Sequence, residues 1–352
     1  MDADLTALLA RMPKAELHLH LDGSLRPQTA LELARERGLD EGMDVDAMRA
    51  RLTAPERCQS QAELLRAFDL PIALMQDAEA LERITGELVE DVARDGTRYV
   101  EIRWAPTLHV ERGLSLHDGI NAVVAGAQAG AASTGVVTRL IAVALRSHDP
   151  ELNRRMAEEA VRFVDSGLTG FDCAGQEERF PDPLLHEAAF DVARAGGLGI
   201  TVHAGEWGGT AQIWRALQVD PARIAHGPGT IDDPELQAEL IARDITLDLC
   251  PTSNVQANLV ASVAAHPIAR LHRAGVPVTL STDDRTVSGV TLVREYGNVV
   301  REAGLTLTEL WAIDRHALEV AFLHHDEGER QSLRAEFDAF AASEPHLAPA
   351  AN

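Results

Sequence analysis

The chain has 352 residues, of which 32 are basic and 55 acidic, giving a net charge of −23 with histidine neutral; Lys14 is its one lysine. So negative a surface repels phosphate backbones and anionic headgroups, which sets aside nucleic-acid and membrane partners. The acidic opening Met1–Arg11 is unlike a secretory signal, no apolar run nears the roughly 18 residues of a bilayer span, and Cys58, Cys173 and Cys250 are too few and too scattered for a disulfide framework or a thiolate zinc site. A cytoplasmic address is expected.

Short apolar runs alternate with amphipathic stretches, the pattern of a parallel sheet wrapped by helices. In chain order the strands read Ala15–Leu21, Arg98–Trp104, Val137–Leu145, Thr169–Cys173, Gly199–His203, Arg223–His226, Ile245–Cys250 and Val276–Ser281. About 75 residues separate the first from the second, and this helical insertion, about 27–76, should hold helices near Leu31–Arg37 and Gln61–Met75. It is followed by a helix over Asp77–Arg94, capped by Asp77, with Leu81, Ile84, Leu88 and Val92 on one face. Eight strand-helix units fit a (β/α)8 TIM barrel occupying 1–352 as a single domain, with an alanine-rich tail, 341–352, that is free to fray. An open doubly wound sheet has a similar strand count. The polar residues decide for the barrel, because they fall at the C-terminal ends of strands, where barrels place their chemistry.

His18 and His20 stand two apart in a strand, so both rings leave the same face and can converge on one ion. Alone the pair is weak; His203 in H-A-G-E and Asp283 also end strands, and three imidazoles with a carboxylate suit zinc. Zinc lowers the pKa of a bound water from about 15.7 to about 7, roughly 12 kcal/mol of easier ionisation. Glu206, three residues beyond His203, is placed to give or take protons, while His226 and Asp283 are placed to orient or deprotonate the water. Adjacent carboxylates at Asp283 and Asp284 closing a buried strand are costly unless an ion or ligand meets them. No nucleophile elbow, phosphate-binding loop or dinucleotide fingerprint is present. The other ten histidines, His109 and His266 among them, read as structural.

Together these motifs resemble the adenosine deaminase family: P-K-A-E-L-H-x-H-L-D-G at Pro13–Gly23, D-x-A-G-x-E at Asp172–Glu177, H-A-G-E at His203–Glu206, H-G at His226–Gly227, C-P-x-S at Cys250–Ser253 and S-T-D-D at Ser281–Asp284. The resemblance implies hydrolysis of the 6-amino group of adenosine or 2′-deoxyadenosine to inosine and ammonia, in purine salvage. It implies His18, His20, His203 and Asp283 as ligands of one Zn2+. It further implies Glu206 as the acid at purine N1, His226 and Asp283 at the hydroxide, Asp284 at N7, the Gly175 N–H at N3, Asp22 at the ribose 5′-hydroxyl, and Leu64, Leu65 and Phe68 as an apolar lid. Binuclear relatives in the wider amidohydrolase group bridge two metals with a lysine ending the fourth strand, where this chain has Asp172–Gly175; one ion per chain is therefore expected.

Asp22 favours a nucleoside, since the adenine deaminase branch tends to carry Glu there. Other 6-aminopurines (adenine, 5′-modified adenosines, aminodeoxyfutalosine) remain as alternatives. A nucleoside monophosphate would need a basic clamp, for which Arg103, Arg146 and Arg285 are candidates. Two other classes also fit parts of the pattern: an H-x-H metal-dependent phosphoesterase, which would hold more than one metal, and a catalytically silent nucleoside-binding barrel.

Overall fold

The computed structural model describes residues 2–323, 326–344 and 347. All eight expected strands form, with ends within two residues of the reading: β1 Lys14–His20, β2 Thr97–Trp104, β3 Val137–Leu145, β4 Leu168–Ala174, β5 Gly199–His203, β6 Arg223–Ala225, β7 Thr246–Leu249 and β8 Val278–Leu280. Each pairs in parallel with the next in sequence order, so the sheet is a (β/α)8 barrel and not a doubly wound one. Strand interiors such as Tyr99, Val100 and Ile102 are fully buried on both faces, because helices cover the outside and side chains fill the inside.

Closure between β8 and β1 runs through the functional residues. Asp283 N–H donates to His18 O at 3.0 Å, and His20 N–H donates to Asp283 O at 2.7 Å. Glu16 reinforces this seam by accepting from the Thr282 N–H and hydroxyl. The barrel wall is thus completed by the peptide groups of three candidate metal ligands, which fixes their side chains against one another.

The insertion between β1 and β2 is helical, as expected; besides Pro27–Arg37 it holds a helix its sequence did not suggest, Val45–Leu52, and the stretch read as Gln61–Met75 divides into Gln61–Leu65 and Asp69–Leu74. Asp44 caps the extra helix by accepting from Ala47 N–H. The helix Ala78–Arg94 follows, capped by Asp77, with Leu81, Ile84, Leu88 and Val92 buried as read. At roughly 1.5–3 kcal/mol per buried aliphatic side chain, this stripe is ample to hold the helix on the barrel. The last described helix, Glu327–Ser343, carries ordered structure into the segment expected to fray; most of 345–352 lies outside the described residues. Among the described residues no helix is long and apolar enough to cross a membrane.

Candidate active site

Alternation along β1 turns His18 and His20 into the barrel mouth, their Nε2 atoms 3.3 Å apart. His203 at the end of β5 brings its Nε2 to 3.2 Å from that of His20. Asp283 Oδ1 lies 2.9 Å from His18 Nε2 and 3.3 Å from His20 Nε2. Donors about 2.0–2.2 Å from a tetrahedral zinc stand about 3.3–3.6 Å from one another, and these four separations, 2.9–3.3 Å, lie at or a little below that spacing. Burial holds His18 well below the ordinary imidazole range, with Arg103 adding to it, and pulls His20 down to about 3; both rings are neutral with lone pairs to offer. Burial alone would raise Asp283, but His18 and His226 outweigh it and hold the carboxyl well below its usual range. Three imidazole nitrogens with one carboxylate are the donor chemistry of zinc, so the residues fit that ion. One ligand atom from each of His18, His203, His226 and Asp283 also lies within 4.8 Å of the others. His226 Nε2 stands back, however, at 3.7 Å from Asp283 Oδ2, which makes His20 the better fourth donor.

Buried partners orient this cage. Asp172 Oδ2 lies 2.8 Å from His203 Nδ1, which leaves Nε2 bare toward the cluster. Asp172 accepts in turn from Arg103 Nη1 at 3.0 Å, and although burial works to raise its carboxyl, His203 and Arg103 hold it far below the usual range. Ser253 Oγ donates to Asp283 Oδ2 at 2.6 Å. His226 and Asp283 both adopt left-handed backbone, φ +71° and +66°, a strain that a non-glycine residue sustains where the surroundings dictate it. Replacing Asp172 with Asn should lower metal affinity about 10- to 100-fold; titration against a chromophoric chelator reads this directly, and unchanged affinity would remove Asp172 from the role.

The acid side is equally built. Glu206 is largely enclosed, its side chain 12% exposed, and its pKa is pushed well above the ordinary value, first by desolvation, then by the charges of Asp283 and Glu177. Its carboxyl lies 3.8 Å from His226 Nε2. Glu177, the last residue of D-x-A-G-x-E, takes backbone N–H bonds from Gly205 at 2.9 Å, Gly208 at 2.6 Å and Trp207, gripping the loop that carries Glu206. From the insertion, Gln61 Nε2 donates to Gly175 O at 3.2 Å and Glu206 Oε2 at 3.4 Å. Asp284 is raised well above its ordinary value by burial and by Asp283 and Asp22, which favours its protonated form. A Cβ on Gly23 would come within 1.6 Å of Asp284 Oδ1; only glycine leaves room for that carboxyl.

These groups share a cavity of about 570 Å³ lined by His20, Asp22, Gly175, Glu206, Asp283 and Asp284, with Leu64, Leu65 and Phe68 forming its apolar wall as expected of the lid. Burial raises Asp22 to about 6, and His109, read from sequence as merely structural, sits 3.9 Å from it. The candidate phosphate clamp is not there. Arg103 is committed to Asp172, Arg146 donates to His203 O at 2.9 Å, and Arg285 pairs with Asp95 at 2.7 Å; buried acceptors engage all three, and none of them lines the cavity. Asp172, Glu177 and Gln61 were missed as functional residues. The first two lay inside a quoted motif, which was the available signal, whereas Gln61 reaches the site only through the insertion.

The model of the family described as "Adenosine deaminase" matches residues 13–339. A Clostridium perfringens protein named adenosine deaminase is 35% identical over 328 residues, 92% of this chain and 98% of its own. An Arabidopsis ADAL structure complexed with IMP superposes with a TM-score of 0.82 at 30% identity, covering 98% of this chain and 99% of that one. An amidohydrolase from Burkholderia ambifaria with bound Zn superposes with a TM-score of 0.83 at 26% identity, over 96% and 94% of the two chains. On the extent of these matches, and with the motif residues gathered at one barrel mouth, the chain belongs to the adenosine deaminase family.

Proposed function

We propose that this protein is a mononuclear zinc deaminase of adenosine and 2′-deoxyadenosine, acting as one barrel domain and releasing inosine or 2′-deoxyinosine and ammonia. The observation that carries the reading is that Glu206, a carboxyl whose pKa is pushed well above its ordinary value, lines the same cavity as His20, His203 and Asp283 of the cage. When bound there, zinc would supply a hydroxide at neutral pH. Glu206 gives its proton to purine N1, draining electron density from C6 so that the hydroxide can add. Its raised pKa keeps that proton available. Asp284, protonated, donates to N7, which can only accept; the Gly175 N–H meets N3, and Asp22 accepts from the ribose 5′-hydroxyl. His226 and Asp283 hold the hydroxide. C–N cleavage releases the 6-amino nitrogen as ammonia, and the net reaction consumes one water.

A nucleoside 5′-monophosphate is the second reading, favoured by Arg179 at the edge of the cavity. The cavity's remaining charges oppose it, since Asp22, Asp69 and Asp283 are acidic and the three candidate arginines are engaged elsewhere. Ultraviolet assay of adenosine, 2′-deoxyadenosine, adenine, 5′-methylthioadenosine and AMP, each with and without chelator, separates the readings. Adenosine should be fastest and chelator-sensitive. Preference for AMP would install the second reading, preference for adenine would sink the Asp22 argument, and phosphate release would point to the phosphoesterase.

A further inference from the structure

The side of His226 that faces away from the cavity meets a chain of buried hydrogen bonds. The Ile268 N–H donates to His266 Nδ1 at 3.2 Å, His266 Nε2 lies 3.1 Å from Asn254 Oδ1, and Asn254 Nδ2 lies 3.1 Å from His226 Nδ1. All three side chains are buried. A backbone N–H can only donate, so His266 Nδ1 accepts and its ring proton is on Nε2. That proton engages Asn254 Oδ1, which orients the amide. Asn254 Nδ2 must then donate to His226 Nδ1. A neutral imidazole has a single N–H, so His226 carries it on Nε2, the atom 3.7 Å from Asp283 Oδ2 and 3.8 Å from Glu206 Oε1.

We propose that Asn254 and His266 are positioning residues whose hydrogen-bond relay, polarised by the Ile268 peptide, locks His226 as a donor toward the reaction centre. Both a metal ligand and a base need a lone pair at Nε2, and the relay removes it. A proton added at Nδ1 would confront the Asn254 N–H, so the imidazolium is disfavoured as well. Of the two residues the sequence offered for deprotonating water, Asp283 is the one left. The relay also ties the helix Pro251–Gln256, after β7, to the residue that follows β6. Only the turnover arm of the test below rests on the deaminase reading.

Two-bond 15N–1H correlations on the metal-loaded, ring-15N-histidine protein report the tautomer, with His226 assigned by its loss in His226→Gln. His226 should be neutral and protonated at Nε2. Asn254→Asp, isosteric but offering only acceptors, should move the proton to Nδ1 or produce the imidazolium, and lower kcat on the preferred substrate about 100-fold with KM little changed. His266→Phe keeps a ring of similar size but frees the amide to turn, and should give mixed tautomers; it carries the test if the aspartate variant does not fold. A wild-type His226 protonated at Nδ1, or a wild-type tautomer persisting in either folded variant, overturns the relay. Should no purine be deaminated, the tautomer pattern still stands or falls on its own.

Discussion

Glu206→Gln is expected to cut kcat by about 10²–10⁴-fold while leaving inosine binding nearly intact. The amide keeps the shape of the side chain; its NH2 can donate to N1 of adenosine and its Oε1 can accept from the N1–H of inosine, so the ground-state contact survives. It has no proton to surrender, so C6 stays electron-rich and addition stalls. Stopped assays for turnover, with calorimetry for product affinity, separate the two effects; wild-type turnover in the glutamine variant would strip Glu206 of its role. A pH dependence follows with a definite sign. Burial, Asp283 and Glu177 raise the Glu206 pKa, and the protonated form is the active one. kcat/KM should therefore hold at low and neutral pH as far as Glu206 is concerned, then fall as pH rises through that raised pKa. The residual activity of Glu206→Gln should lack this alkaline limb.

Chelation is expected to abolish activity, and one zinc per chain should restore it. The cage has four donors within 3.3 Å of their neighbours and no lysine at the end of β4 to bridge a second ion. Elemental analysis after gel filtration gives the stoichiometry, and two ions per active chain would favour the phosphoesterase. Metal loss should also cost stability. Four donors crowded without an ion lose their common partner, and an ion present at about 100 times its Kd adds about 2.7 kcal/mol to unfolding. The thermal midpoint should fall on chelation and return with zinc.

What the sequence disclosed follows from the range of the interactions concerned. The eight strands were legible because each is a short run of apolar residues bounded by breakers, and the Asp77 cap because capping is local. The candidate ligands were legible because alternation within β1 and position at strand ends are properties of single segments. Arg103 shows the limit: its guanidinium joins Leu17 O on β1 to Asp172 on β4, a choice of partner made only once the barrel closes. Arg285 was misread for the same reason, since Asp95 reaches it from the end of the helix after the insertion. Val45–Leu52 escaped because only Met48 and Leu52 are buried, too few to set a helical period, although Asp44 three residues before Ala47 was a usable sign. The relay joins His226 to residues 254 and 266, neither of which looks unusual in its own segment.

Lys14 begins β1 at the end of the barrel away from the cavity, fully buried, its ammonium donating to Met12 O and Asp95 O. Since every other basic side chain of the Lys/Arg class is a guanidinium, the folded surface presents no side-chain amine. Acylating dyes, amine cross-linkers and lysine-specific endoproteases therefore have no side-chain target until the barrel opens. Labelling at this single position counts opening events of the barrel wall, making Lys14 a built-in, one-residue clock for global unfolding that needs no engineered probe.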